Sequence, residues 1–223
     1  MLPNDETEQG CYQLVGIKAI GSAETNEIRL DTCITGMGLG ILAHFQSQTE
    51  KFPDILNFLK LRQLPDGAWN CRHPRVKTQH SSLNTTLSVL EGLADLENNY
   101  PAYVSEIRSL RDPAIEFLLV HELFKSHTSG KIIHPQYTDI SFPPRWKYNI
   151  LSALDYLRSI KFPYDPRMAD AINLVRSKEN QGYYSKGKQM GDHRFFPLNK
   201  PRKPSEFNTL RALRVLNSYS KAR

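Results

Sequence analysis

Four stretches of this chain repeat one apolar spacing, and that repetition limits the fold more than any single motif. They are LDTCITGMGLGILAHF from Leu30, SSLNTTLSVLEGL from Ser81, RWKYNILSALDYL from Arg145 and SEFNTLRALRVL from Ser205. Leu83, Leu87, Leu90 and Leu93 in the second recur at helical intervals, as do Ile34, Gly38, Ile41 and Phe45 in the first, so each stretch reads as a helix with one buried face. Helix starts are expected near Asp31, Ser82, Arg145 and Ser205. Asn84, Asn149 and Asn208 stand near three of these starts, 65 and 59 residues apart, as internal duplication would leave them.

A second class of helix alternates with the first: FPDILNFLKL, DPAIEFLLVHELF and DPRMADAINLV. Asp112-Pro113 and Asp165-Pro166 each pair a capping side chain with a proline at the first helical position, where its missing N–H costs nothing. Pro113 has an alternative reading as a kink within a helix that continues from YPAYVSEIRSLR. Each helix of this class is followed by a glycine-bearing loop, PDGAW, TSGKI or NQGYY. Strand signals are scarce; KIIHPQYTDISF holds at most a short one between prolines. The expected fold is all-α: outer helix, long loop, inner helix and short connection, repeated about three times behind an extra inner helix. Such hairpins bury their faces only by stacking on neighbours.

The 223 residues, 39% of them hydrophobic, suffice for a substantial core. Three cysteines, Cys11, Cys33 and Cys71, without a CxxC pair, argue against a disulfide framework or a ribbon-type zinc site and favour a reducing compartment. The opening MLPNDETEQG is polar and acidic where a signal peptide needs a basic start and an apolar run, and no apolar stretch has membrane-spanning length. A soluble cytoplasmic protein without membrane insertion is expected. It would comprise a polar segment over residues 1–30, the helical domain over 31–219 and a tail over 220–223.

QLPDGAWNC resembles the Gln-x-x-Asp-Gly-x-Trp repeat of squalene cyclases and protein prenyltransferases. Taken with DTCITGMGLGILAHF, QLPDGAWNCRHPR, QHSSLNTT, SFPPRWKYNILSALDYL and NTLRALRVL, the chain from about Asp31 to Leu216 resembles bacterial prenyltransferase/squalene-oxidase-repeat proteins of unassigned activity. That resemblance implies an α/α toroid of inner and outer helices around a cavity, with Asp66, Gly67 and Trp69 bracing adjacent repeats. Proteins of that kind carry further helix pairs before the segment matching Asp31. The ring is therefore expected to be incomplete and to expose the first inner helix around Ile34 and Ile41, a face that a homodimer would cover.

The same resemblance allows two chemistries to be weighed. Protonation by a cyclase needs an Asp-x-Asp-Asp motif, and here Asp31 alone precedes Thr32. The zinc histidine of prenyltransferases falls near Asn84, and asparagine is a poor zinc ligand. Cys33 and Cys71 with His73 or His80 form a conceivable substitute set, but cysteine as a small buried hydrophobe is the commoner role. No metal and no cofactor are expected, and catalysis stays an open question.

Charge points to a site more clearly than any motif. The loops over residues 66–81, 125–147 and 182–204 hold thirteen Lys or Arg against three Asp, a net +10, while the rest of the chain carries −4. Five of the seven histidines, His73, His80, His127, His134 and His193, lie there too. In a toroid these loops gather at one end, where inner-helix N-termini add partial positive charge. The expected ligand is a small amphiphilic or isoprenoid-like anion with a phosphate, diphosphate or carboxylate head. Its expected contacts are Arg72, His73, Asn84, Arg145, Trp146, Tyr148, Asn149, His193 and Asn208. The asparagines have a plainer reading, satisfying loop backbone near helix ends. Two other functions compete: a binding module offering its basic face to nucleic acid or an acidic protein, and a structural repeat without a ligand. Nucleic acid is disfavoured because no recognised binding motif accompanies the charge.

Overall fold

The computed structural model describes residues 31–73, 78–144, 147–187 and 203–220. The fold is all-α. Seven α-helices are present among the described residues: α1 Thr32–His44, α2 Phe52–Arg62, α3 Leu83–Asn99, α4 Val104–Val120, α5 Ile150–Ser159, α6 Ala169–Arg176 and α7 Glu206–Ser218. Two compact units divide the chain, one up to residue 117 and one from residue 118.

In the first unit α1 and α3 touch backbone to backbone. A Cβ on Gly36 would stand 2.6 Å from Val89 Cα, and one on Gly40 would stand 3.3 Å from Gly92 Cα. The register climbs along both helices together, so α1 and α3 run in the same direction. Leu83, Leu87, Leu90 and Leu93 are all buried, as their spacing predicts. In α1 the outcome is mixed: Gly38 of the predicted face is buried with Thr32, Thr35, Gly36, Leu39, Gly40, Leu42 and Ala43, whereas Ile41, which an open ring is expected to expose, is 59% and Phe45 73% exposed. Close approach to α3 demands the small residues of α1, and that turns Ile41 and Phe45 outward while Leu39 and Leu42 stay buried.

Helix α2 begins with Pro53 in its first turn and buries Phe52, Ile55, Leu56 and Leu59. The chain then turns through Gly67, whose N–H donates to Leu64 O at 2.9 Å. Gly67 has φ +87°, and a Cβ there would lie 2.9 Å from Pro113, so glycine is required twice over. Pro113 itself lies inside α4, so the continuous-helix reading holds and Asp112 is not a helix start.

In the second unit α5 and α7 also run in the same direction. Ser152 Oγ accepts from Arg211 at 3.0 Å, and Asp155 Oδ1 accepts from Arg214 Nε at 2.8 Å, both at the 59-residue offset that separates Asn149 from Asn208. Helix starts at Asp31, Ser82 and Ser205 match expectation, but α5 starts at Ile150, five residues after Arg145. Asn149 causes the shift: its Oδ1 accepts from Ser152 N at 2.9 Å and caps the helix there. Asp165 caps as predicted, accepting from Arg167 N at 2.9 Å.

The strand pair among the described residues lies in the NQGYY loop rather than in KIIHPQYTDISF. Glu179–Asn180 pairs with Tyr183–Tyr184 around Gln181 and Gly182, both at positive φ, which is the turn a two-residue hairpin requires. KIIHPQYTDISF instead holds a 3-10 turn, Pro135–Thr138, and a single bridge from Ile132 to Lys125.

Candidate functional site

The QLPDGAW turn orders everything around the loop that enters α3. Gln63 Nε2 donates to Gly67 O at 2.7 Å and to Leu110 O at 2.9 Å, one turn before Pro113. Trp69 is fully buried, and its indole N–H donates to Leu59 O at 2.8 Å. Asp66 accepts from the Ser81 amide at 2.8 Å and also from its hydroxyl. These bonds join the end of α2, the interior of α4 and the approach to α3. Asp66, Gly67 and Trp69 therefore brace the unit.

Beyond Trp69 the loop reaches the start of α1. Cys71 N–H donates to Thr85 Oγ1 on α3 at 3.2 Å, and Cys71 Sγ accepts the backbone N–H of Cys33 at 3.1 Å. Both cysteines are half-buried thiols. The Cys33 thiol, the Thr85 hydroxyl and the amides of Cys33 and Thr32 surround the Cys71 sulfur and favour its thiolate; against the opposing pull of burial, they lower its pKa to about 6. Cys33 shifts the other way, pushed up by its hydrogen bond to Cys71 and then by burial. Arg72 is exposed, its N–H donating to Asn70 Oδ1 at 2.9 Å. His73 is half-buried, and its Nδ1 is enclosed with no hydrogen-bond partner among the described residues. Asn84 is half-buried in the first turn of α3.

One turn further along α1 an apolar groove of about 410 Å³ opens between α1 and α3. Met37, Gly40, Ile41, His44 and Phe45 line it from α1 and its end, and Ser88, Glu91, Gly92 and Asp95 from α3. Burial raises the Asp95 carboxyl, with His44 opposing. Sequence reasoning missed this groove. Its signal was the pair GMGLG and EGL, small residues at matching places on two helices.

In the second unit the described polar residues expected to meet a ligand, Tyr148, Asn149 and Asn208, are committed to the scaffold. Tyr148 is buried to 1%, its hydroxyl donates to Leu123 O, and burial pushes its pKa well up. Asn149 caps α5. Asn208 is fully buried and its amide donates to Ile140 O and, at 2.9 Å, to Ser185 O, while its Oδ1 has no partner among the described residues. Their plainer reading, satisfying loop backbone, describes what Asn149 and Asn208 do. Arg145, Trp146 and His193 lie outside the described residues.

A cluster that sequence reasoning also missed joins α5 to α7. Asp155 accepts from Arg158 Nε at 2.9 Å, Arg211 Nε at 3.2 Å and Arg214 Nε at 2.8 Å. Burial alone raises its carboxyl, but the three guanidiniums outweigh burial and hold it below the usual carboxylate range. Among the described residues no group of three or more His, Cys, Asp or Glu gathers as a metal site, and no helix is long and apolar enough to cross a membrane. No protein-family model, curated protein or solved structure matches the chain.

Proposed function

We propose that this chain is an α/α-toroid-like helical-repeat protein that holds a small amphiphilic anion. The phosphate, diphosphate or carboxylate head meets a basic loop, and the apolar tail lies in the groove between α1 and α3. One observation carries this reading: within the first unit, the groove opens one turn past the loop that bears Arg72 and His73. At 1.5 Å per residue the axis of α1 runs about 6 Å from Cys33 to Met37 and about 18 Å to Phe45. A medium-length alkyl or isoprenoid tail fits that span. Glu91 and Asp95 stand along the groove, where they repel a second charge and orient the head toward the loop. Two further features support the reading: the net +10 of the loops before α3, α5 and α7, and the like-directed pairs α1 with α3 and α5 with α7.

The test is a titration at low salt of dodecyl phosphate, dodecanol and inorganic phosphate against the whole chain. Dodecyl phosphate should bind tightest, Arg72→Ala should weaken it while sparing dodecanol, and Met37→Trp should weaken both tailed ligands. Arg145→Ala and His193→Ala examine the second and third loops in the same way. No binding by any tailed ligand at low salt ends the reading. An oligonucleotide that binds instead, with affinity falling steeply as salt rises, establishes the nucleic-acid alternative.

The exposure of Ile41 and Phe45 favours a second reading, a homodimer closed through α1. Light scattering at micromolar concentration should then give twice the chain mass, and Ile41→Glu should return it to one.

A further inference from the structure

Amphiphile binding makes no use of Cys33 and Cys71. They lie 38 residues apart in sequence, yet the Cys71 sulfur accepts the second amide of α1, that of Cys33 itself, at 3.1 Å. Their meeting is enforced from both sides. The bonds from Trp69 N–H to Thr86 Oγ1 and from Cys71 N–H to Thr85 Oγ1 fix the loop against α3, and glycine contacts fix α1 against the same helix. A sulfur at a helix start sits where orphan amides and the helix dipole stabilise negative charge. Cys71 is also half exposed to solvent, so a small oxidant can reach it.

We propose that Cys33 and Cys71 are a reversible redox pair, closed to an intramolecular disulfide by hydrogen peroxide and reopened by a thiol reductant. The Cys71 thiolate attacks one peroxide oxygen, the O–O bond breaks, hydroxide leaves, and Cys71 becomes a sulfenic acid. That sulfur no longer carries the negative charge that held the Cys33 proton in place. Cys33 then loses its proton and attacks the Cys71 sulfur; the S–O bond breaks and water leaves. Two electrons pass from the two sulfurs to the peroxide, which ends as two waters. Two equivalents of a monothiol, or one of a dithiol, reverse the closure by exchange. The Cys71 sulfur already lies 3.1 Å from the Cys33 amide nitrogen, and closing the sulfurs to about 2.05 Å asks for side-chain rotation at the loop. Closure ties the loop that carries Arg72 and His73 covalently to the start of α1 and removes the thiolate from its amides.

The test treats the full reduced chain with stoichiometric hydrogen peroxide, then alkylates it and maps peptides without reduction. A peptide linking Cys33 to Cys71 should dominate, two thiols per chain should disappear, and dithiothreitol should restore both. Cys11→Ser should leave this pattern intact. Before oxidation, iodoacetamide at pH 7 should alkylate Cys71 at least about tenfold faster than Cys33, since the thiolate is the nucleophile. Cys33→Ser should stop at a sulfenic acid on Cys71 that dimedone traps; if that variant fails to fold, the wild-type peptide map still decides. A disulfide that involves Cys11, one between chains, or two unchanged thiols after treatment overturns the proposal.

Discussion

A Cβ built on Gly92 would stand 2.0 Å from the carbonyl oxygen of Gly36, so the helices α1 and α3 meet where neither has a side chain. No rotamer relieves such a contact, because the obstacle is backbone. Gly92→Ala must therefore push the helices apart along the whole groove. The expected loss is about 3 kcal/mol, at the upper end of overpacking costs. Urea unfolding should show the midpoint fall, and a change below about 0.5 kcal/mol would contradict this packing.

Two glycines at positive φ should respond differently. Gly67 and Gly130 both have positive φ, but a Cβ on Gly67 meets Pro113 at 2.9 Å whereas one on Gly130 meets nothing within 4 Å. Asparagine tolerates the left-handed region, so Gly130→Asn should cost under about 1 kcal/mol. Gly67→Asn should cost at least about 2 kcal/mol more, from the added clash. Equal losses in the two variants would place the cost in backbone conformation alone.

Trp69→Phe keeps most of the buried ring and removes the indole N–H that serves Leu59 O. The buried carbonyl left behind should cost about 1–3 kcal/mol. Gln63→Leu strips the donor from both Gly67 O and Leu110 O and should cost a similar amount. Thermal unfolding of each variant, compared with Trp69→Leu, separates the hydrogen bond from the packing.

Asp155 sets an acid limit for the second unit. Its folded pKa is depressed, so its stabilisation is complete above the unfolded carboxylate value and is lost as pH falls toward the folded one. Wild-type stability should drop from about pH 5 downward with a slope to which this group contributes. Asp155→Asn should cost about 1–2 kcal/mol at pH 7, because Arg211 keeps its burial and loses its counter-charge, while Arg158 and Arg214, 26% and 42% exposed, are partly screened by solvent. The gap between the two proteins should narrow as pH falls; a gap that stays constant to pH 3 would show that the ion cluster is not its source.

The order of helices, the starts at Ser82 and Ser205, the cap at Asp165, the leucine face of α3 and the brace at Trp69 were legible in the sequence, because each is a local matter of period, capping chemistry or turn geometry. Asn149 shows where local reading ends: the apolar spacing ran back to Arg145, but a side-chain acceptor at residue 149 started the helix later. The outward turn of Phe45, the Asp155 cluster and the meeting of Cys33 with Cys71 were decided by tertiary structure alone. Each joins segments 38 to 59 residues apart, and which side chains meet depends on how closely two helices approach. Spacing along one helix shows that a face exists; only the partner helix determines which face is buried, because the shorter side chains win wherever backbones touch.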